Sequence, residues 1–366
     1  MTGVSVTDVH AHALVPSVEL LVEGNSRKRR EQEEQARLMG PESLRVTLRM
    51  SRDAHRSLTD LDVRIKAMDA AGVDVQLVSP SPSQYYYWAE PSLAREIFTA
   101  TNEAVAAMCA QAGGRLTGLG VVPLQHPGLA VEALEHAVLT CGLKGIEISS
   151  FAPYGDGVQR REGVGPAGRL DAVGAPGAVD AVGPVERVDL SHPALDPLWA
   201  RAEELGALVF LHPLGCTVDG RLDHWYLYNV IGQPLEHTIA LSHLIFSGAL
   251  DRHPRLRILA AHGGGYLPVH LGRAEHAWRE RPEARTCARP PGEYVREIFF
   301  DSLVYTPHAL RHLVDTVGAD QVLLGSDYPY DMGVTDPLDR LTAAGLSPGQ
   351  RDRVAGGNAA RLGLIP

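Results

Sequence analysis

The residues most able to do chemistry sit near the start of the chain, in Asp8-Val9-His10-Ala11-His12. Alternate residues of an extended segment share a face, so His10 and His12 can offer both imidazoles to one ion. An HxH pair by itself describes a solvated polar strand end equally well. Three more groups share its position. His212 closes the apolar run Ala207-Leu208-Val209-Phe210-Leu211, His262 closes Leu256-Arg257-Ile258-Leu259-Ala260-Ala261, and Asp327 follows Gln321-Val322-Leu323-Leu324-Gly325-Ser326. Each is the first polar group after a buried strand. A cluster of imidazoles and a carboxylate is costly to bury without a counterion, and a divalent metal supplies one. Three imidazoles (His10, His12, His212) and one carboxylate (Asp327) suit zinc, although iron, manganese or copper accept the same set. His262 reads differently, because Gly263, Gly264 and Gly265 follow it. Glycines allow close backbone approach to a ligand, and His262 beside a metal-bound water can act as its general base. The same glycines also serve a tight turn into the next helix.

For these residues to meet, their strands must end on one face. Short β-branched runs alternate with amphipathic stretches along the whole chain, the rhythm of βα units around a parallel sheet. Strands are expected at Val4–His10, Val73–Ser79, Leu116–Val122, Gly145–Ser149, Ala207–His212, Leu256–His262, Glu297–Ser302 and Gln321–Ser326. Helical patterns fall between them at Leu61–Ala71, Leu93–Ala112, Ala130–Leu139, Pro193–Leu205, Leu235–Asp251 and Leu310–Val317. Eight such units predict a closed (β/α)8 barrel, in which strand C-termini ring one central well. The expected organisation is a single barrel domain over 1–366 with two insertions. Residues 17–59, polar and long for a first βα connection, read as a lid or small subdomain at the mouth. Residues 155–187, rich in Gly, Ala, Val and Pro with a repeated Asp-Ala-Val-Gly, read as a flexible low-complexity loop after the fourth strand.

Composition excludes several classes. The 366 residues are 45% hydrophobic and 21% charged, ordinary for a soluble globular chain, and the net charge of −10 opposes nucleic-acid binding. The basic run Arg27-Lys28-Arg29-Arg30 is followed by Glu31, Glu33 and Glu34, which reads as a salt-bridged helix face. Four cysteines without CxxC spacing point to neither a zinc ribbon nor a disulfide framework, and fit reduced cytosolic thiols. A cleaved signal peptide would remove His10 and His12, and no apolar run reaches membrane-spanning length. A cytoplasmic protein without nucleic-acid or membrane partners is expected.

Taken together, His10-Ala11-His12, His212-Pro213, His262-Gly-Gly-Gly, Gly272-Arg273, Phe300-Asp301-Ser302-Leu303-Val304, Gly325-Ser326-Asp327-Tyr328-Pro329-Tyr330, Asp219-Gly220-Arg221 and Gly357-Asn358-Ala359-Ala360 resemble the aminocarboxymuconate semialdehyde decarboxylase-like branch of the amidohydrolase superfamily. The resemblance covers nearly the whole chain. It implies one zinc ion on His10, His12, His212 and Asp327, with His262 as acid/base toward the metal-bound water. The only lysine of the fourth strand, Lys144, stands at its start, which agrees with a single metal. By the same resemblance Arg273 reaches into a neighbouring subunit to hold a substrate carboxylate, making a homodimer the working unit. A second carboxylate-binding arginine is expected after the first strand, where Arg45, Arg49, Arg52 and Arg56 compete and Arg49 is chosen. The sequence departs from the branch at Pro213-Leu214-Gly215 and at the 155–187 insertion, both beside the presumed pocket.

The resulting expectation is non-oxidative decarboxylation of a small unsaturated or aromatic carboxylic acid, with His262 and Asp327 as catalytic groups and metal-bound hydroxide as a participant. Hydrolysis or hydration of an amide, lactone or carbon-carbon double bond on the same centre is the alternative. Tyr85-Tyr86-Tyr87-Trp88 and Trp225-Tyr226 are candidate aromatic walls or packing residues.

Overall fold

The computed structural model describes residues 4–153, 187–218 and 220–366. The insertion expected at 155–187 lies outside the described residues except for Arg187, and so does Asp219. Parallel strands β1 (Thr7–Ala13), β2 (Val75–Pro80) and β3 (Leu116–Gly118) form one sheet. A second sheet contains β4 (Gly120–Val121), β5 (Gly145–Ile148), β8 (Leu208–Leu211), β9 (Arg257–Ala260), β10 (Phe299–Asp301) and β11 (Val322–Leu323), paired in that spatial order. Between β5 and β8, the short strands β6 (Phe151–Pro153) and β7 (Arg187–Asp189) pair antiparallel, so the chain leaves for the insertion and returns at one point.

Three backbone hydrogen bonds close the two sheets into a barrel. Leu119 N donates to Val78 O at 2.9 Å, joining β3 and β4 into one stave, while Val9 N donates to Leu324 O and His12 N to Tyr328 O, each at 2.8 Å. All eight expected strands are present, and every pairing around the barrel is parallel.

The period of two sorts side chains between lumen and outer layer. Leu208 and Phe210, Leu259 and Ala261, Phe299 and Leu323 pack inside with Val9, Leu77 and Leu119. The alternating Val209, Leu211, Ile258, Ala260, Phe300, Val322 and Leu324 pack outward against helices. Leu362 and Leu364 plug the floor of the lumen, where Thr117 Oγ1 donates to Leu364 O at 2.6 Å. The closing Gly357-Asn358-Ala359-Ala360 motif serves this floor, because the Asn358 amide donates to the carbonyls of Ala319 and Val322, both at 2.8 Å.

One strand differs from expectation in a way that matters. β1 continues to Ala13 instead of ending at His10, because Ala11, His12 and Ala13 pair with Val78, Ser79 and Pro80 of β2, and Ala11 also bridges to Tyr328. Its register with β2 shifts between Asp8 and Ala11, a local irregularity that lets Val9 face the lumen while His10 and His12 enter the well above it.

Residues 17–59 are helical: α1 (Pro16–Leu21), α2 (Ser26–Met39) and α3 (Pro41–Thr59), followed by α4 (Leu61–Ala71). Gly40 turns the chain between α2 and α3 with φ of 78°, and a Cβ there would lie 1.8 Å from the Asp223 carbonyl oxygen. Leu38 and Met39 pack on Cys216, Leu222 and Tyr228 in the loop after β8. The hairpin therefore stands at the C-terminal end of the barrel.

Candidate metal centre

The inward parity of Leu208 and Phe210 continues to His212, and that of Leu323 passes through Gly325 to Asp327. His10, His12, His212 and Asp327 are buried, and one ligand atom from each lies within 4.8 Å of all the others. His10 Nε2 is 3.2 Å from His12 Nε2, and Asp327 Oδ1 is 3.3 Å from His10 Nε2 and 3.1 Å from His12 Nε2. Four donors about 2.05 Å from a tetrahedral ion are roughly 3.3 Å apart, so the spacing suits such an ion. Neither ring nitrogen of His212 has a hydrogen-bond partner, although the residue is buried. Orphan nitrogens converging on a carboxylate are what a bound cation explains.

The electrostatics carry the same preference. Burial pushes the Asp327 carboxyl up, but the charge of His10 and the close imidazoles of His10, His12 and His262 outweigh it and hold the group well below the usual carboxylate range. Burial lowers His10, yet Asp327 and Asp301 overcome this and raise it to about 10. His12 and His212 are lowered, by burial first. Asp327 and Asp301 thus keep their negative charge among the imidazoles, a balance that favours a cation at this point.

Around these four stand groups that sequence reasoning left without a role. Asp301, inward on β10, holds His10 Nδ1 at 2.5 Å through Oδ2 and accepts the Gly263 N–H at 2.8 Å through Oδ1. It orients the His10 ring and anchors the loop carrying His262. Glu147 on β5 is fully buried with Oε1 3.7 Å from His12 Nδ1, and burial pushes its carboxyl well up. Asp8 receives Ser326 N–H at 3.0 Å, Ser326 Oγ–H at 2.6 Å and Gln76 Nε2–H at 2.9 Å, which braces β1 against the Asp327 segment. The buried cation near the centre is Arg64 of α4, whose guanidinium donates to Gln76 Oε1 at 2.7 Å and to the His12 carbonyl.

His262 lies beside the cluster with Nε2 3.6 Å from Asp327 Oδ2, and its φ of 52° is a left-handed backbone conformation. Arg49 and Arg273 are both exposed in this single chain, as are Arg45, Arg52 and Arg56, and none enters the well. Of the aromatic candidates, Tyr85 and Tyr87 stack at 5.2 Å with their planes 6° apart. Tyr85 Oη donates to the His212 carbonyl at 2.9 Å, linking the metal cluster to a neighbouring cavity of about 610 Å³. That cavity lies under α2 and is lined by Tyr85, Tyr87, Trp88, Phe151, Tyr228 and Cys216 among others. Trp225, 84% exposed, lines no well.

Comparison with known proteins identifies the family. The family described as amidohydrolase matches residues 7–362. A 2-amino-3-carboxymuconate-6-semialdehyde decarboxylase of Dictyostelium discoideum is 31% identical over 319 residues, covering 86% of this chain and 80% of the relative. A gamma-resorcylate decarboxylase of Rhizobium sp. (strain MTP-10005) is 27% identical, covering 84% of this chain and 88% of the relative. Among solved structures, a 5-carboxyvanillate decarboxylase from Novosphingobium aromaticivorans with bound manganese superposes with a TM-score of 0.77 at 20% identity, covering 98% of this chain and 97% of that one. Among the described residues, no helix is long and apolar enough to cross a membrane.

Proposed function

We propose, for a chain that belongs to the amidohydrolase family, that it is a metal-dependent, non-oxidative decarboxylase of a small aromatic or unsaturated carboxylic acid. The observation that carries the reading is the four-residue cluster of His10, His12, His212 and Asp327 with His262 at its edge, in a chain whose relatives are named decarboxylases. These four residues would hold one divalent ion, zinc by their donor set, with manganese as the competing occupant. Bound there, such an ion supplies positive charge against the negative charge that develops on substrate oxygens.

The remaining work belongs to side chains of this protein. Decarboxylation breaks the bond between a carbon and its carboxylate, leaves the electron pair on that carbon, releases carbon dioxide, and requires a proton at the same carbon. We assign that proton to His262 Nε2, which lies 3.6 Å from Asp327 Oδ2, with the Asp327 carboxylate as the anion facing it. Asp301 fixes the ring of His10 and the entrance of the His262 loop together, so ligand and proton-handling group keep one geometry. The stacked Tyr85 and Tyr87 offer a flat apolar side to a planar acid in the adjoining cavity.

The reading extends to a single barrel domain with the α2–α3 hairpin as cover, and to a homodimer in which Arg273 grips a substrate carboxylate in the partner's site. Its exposure on the helix Leu271–Glu280 leaves it available for that contact. Arg49 is the proposed second carboxylate ligand, reached by movement of α3.

The test is to load the protein with zinc or manganese and offer a panel of hydroxybenzoates and muconate-type acids. Carbon dioxide release is measured beside incorporation of labelled solvent oxygen. Stoichiometric carbon dioxide, abolished by chelation, is expected. Oxygen incorporation without carbon dioxide would mean a hydrolase or hydratase instead.

A further inference from the structure

The face of His262 turned away from the metal cluster meets a second histidine. His237, on the helix Gln233–Phe246, is fully buried, and its Nε2 lies 3.0 Å from His262 Nδ1. This approach is built into the chain. Gly265 turns the loop with φ of 66°, and a Cβ there would fall 2.1 Å from the Pro234 carbonyl oxygen and 3.0 Å from His237 Cβ. Only glycine lets the helix come close enough for the two rings to touch.

One proton lies between the two nitrogens, and the surroundings decide which ring owns it. His237 Nδ1 is buried without a hydrogen-bond partner. If His237 accepted from His262, its own proton would sit on Nδ1 as a buried N–H without an acceptor, a rarer and costlier arrangement than a bare acceptor. Burial keeps His237 well below its usual range, so it is neutral with a single proton. That proton therefore belongs on Nε2. On the far side of His262, Nε2 faces Asp327 Oδ2 at 3.6 Å, where an N–H is attracted and a lone pair repelled. Both ends of the chain of contacts ask for the same tautomer.

We infer that His237 is a positioning residue that donates its Nε2–H to His262 Nδ1 and so holds His262 with its proton on Nε2, facing Asp327 and the metal cluster. In the resting enzyme His262 presents a hydrogen-bond donor to substrate oxygens rather than a bare base. This rests on the proposed role of His262 toward substrate, while the tautomer itself can be read without turnover.

The experiment uses the zinc-loaded full chain labelled with 15N-histidine, the His262 resonances being assigned by their loss in His262→Gln. Wild type is expected to show a protonated Nε2 and a bare Nδ1. His237→Phe, which keeps a ring but no hydrogen bond, should release His262 to a tautomer mixture and lower kcat about tenfold with little change in KM, as loss of an orienting partner does. His237→Gln, whose amide can still donate at the same reach, should restore the tautomer and most of kcat, and it also serves if the phenylalanine variant does not fold. A wild-type proton on Nδ1, or a tautomer unchanged in His237→Phe, overturns the inference. If the tautomer follows His237 but neither His262→Gln nor His237→Phe slows carbon dioxide release, the positioning stands and the role of His262 in the reaction falls.

Discussion

Replacing Asp301 by Asn changes one atom and leaves the shape of the centre intact, so its effect can be worked from the hydrogen bonds. Asp301 Oδ1 accepts two backbone N–H groups, from Gly263 at 2.8 Å and Leu303 at 3.1 Å, while Oδ2 meets His10 Nδ1 at 2.5 Å. In Asp301→Asn the amide oxygen stays with the two backbone donors, and the amide NH2 then faces His10. Two donors in contact force His10 to shed its Nδ1 proton and carry it on Nε2, the atom 3.2 Å from His12 Nε2 that points into the metal cluster. A ligand protonated at its binding atom must pay a tautomer change before it can bind. Loss of such an orienting carboxylate weakens metal binding by about 10–100-fold, or roughly 1.4–2.8 kcal/mol. Flipping the amide avoids that conflict but strands two backbone donors, at about 1 kcal/mol each, and loosens the His262 loop. Zinc affinity, measured by competition with a chromophoric chelator alongside thermal unfolding of the metal-free protein, separates the outcomes. A folded Asp301→Asn protein binding zinc within about threefold of wild type, short of the loss expected for an orienting partner, would refute the orienting role.

Two further effects should be measurable away from catalysis. Glu31 of α2, receiving the Trp88 indole N–H at 2.9 Å, is raised by burial from 4.5 to about 7. Its folded value exceeds its unfolded one, so the native state keeps the proton longer and stability falls as pH rises from about 4.5 to 7; Glu31→Gln should remove roughly 2 kcal/mol of that fall between the two readings, made by urea unfolding at pH 5 and pH 7.5. Asp8→Ala strands Ser326 and Gln76 donors in the core and should destabilise the metal-free protein by about 1–3 kcal/mol in the same assay.

The parts of the site visible in the sequence are those whose position follows from strand parity. His212 and Asp327 continue inward columns of apolar residues, and the strand-helix alternation places all the strand ends on one face. What stayed hidden depends on contacts between distant segments. The end of β1 is set by its pairing with Val78, Ser79 and Pro80 and by the bridge to Tyr328, which no local propensity reveals. Asp301 acts on a residue 291 positions away, and His237 looks like any helix position until Gly265 brings the loop against it. No residue of the helix α2 is fully buried, Glu31 being only partly covered, so it offers no apolar period and reads as a polar connection. Arg64 is hidden in the opposite way, a buried cation in an amphipathic helical pattern where an arginine is expected on the solvent side.

The most direct test of the central claim is a crystal structure of the zinc-loaded protein with anomalous scattering at the metal edge. One ion is expected about 2.0–2.2 Å from the Nε2 atoms of His10 and His12, a ring nitrogen of His212 and an Asp327 carboxylate oxygen, with His262 outside the coordination sphere. An ion bound away from these four residues, or one that takes His262 as a ligand in place of any of them, would contradict it.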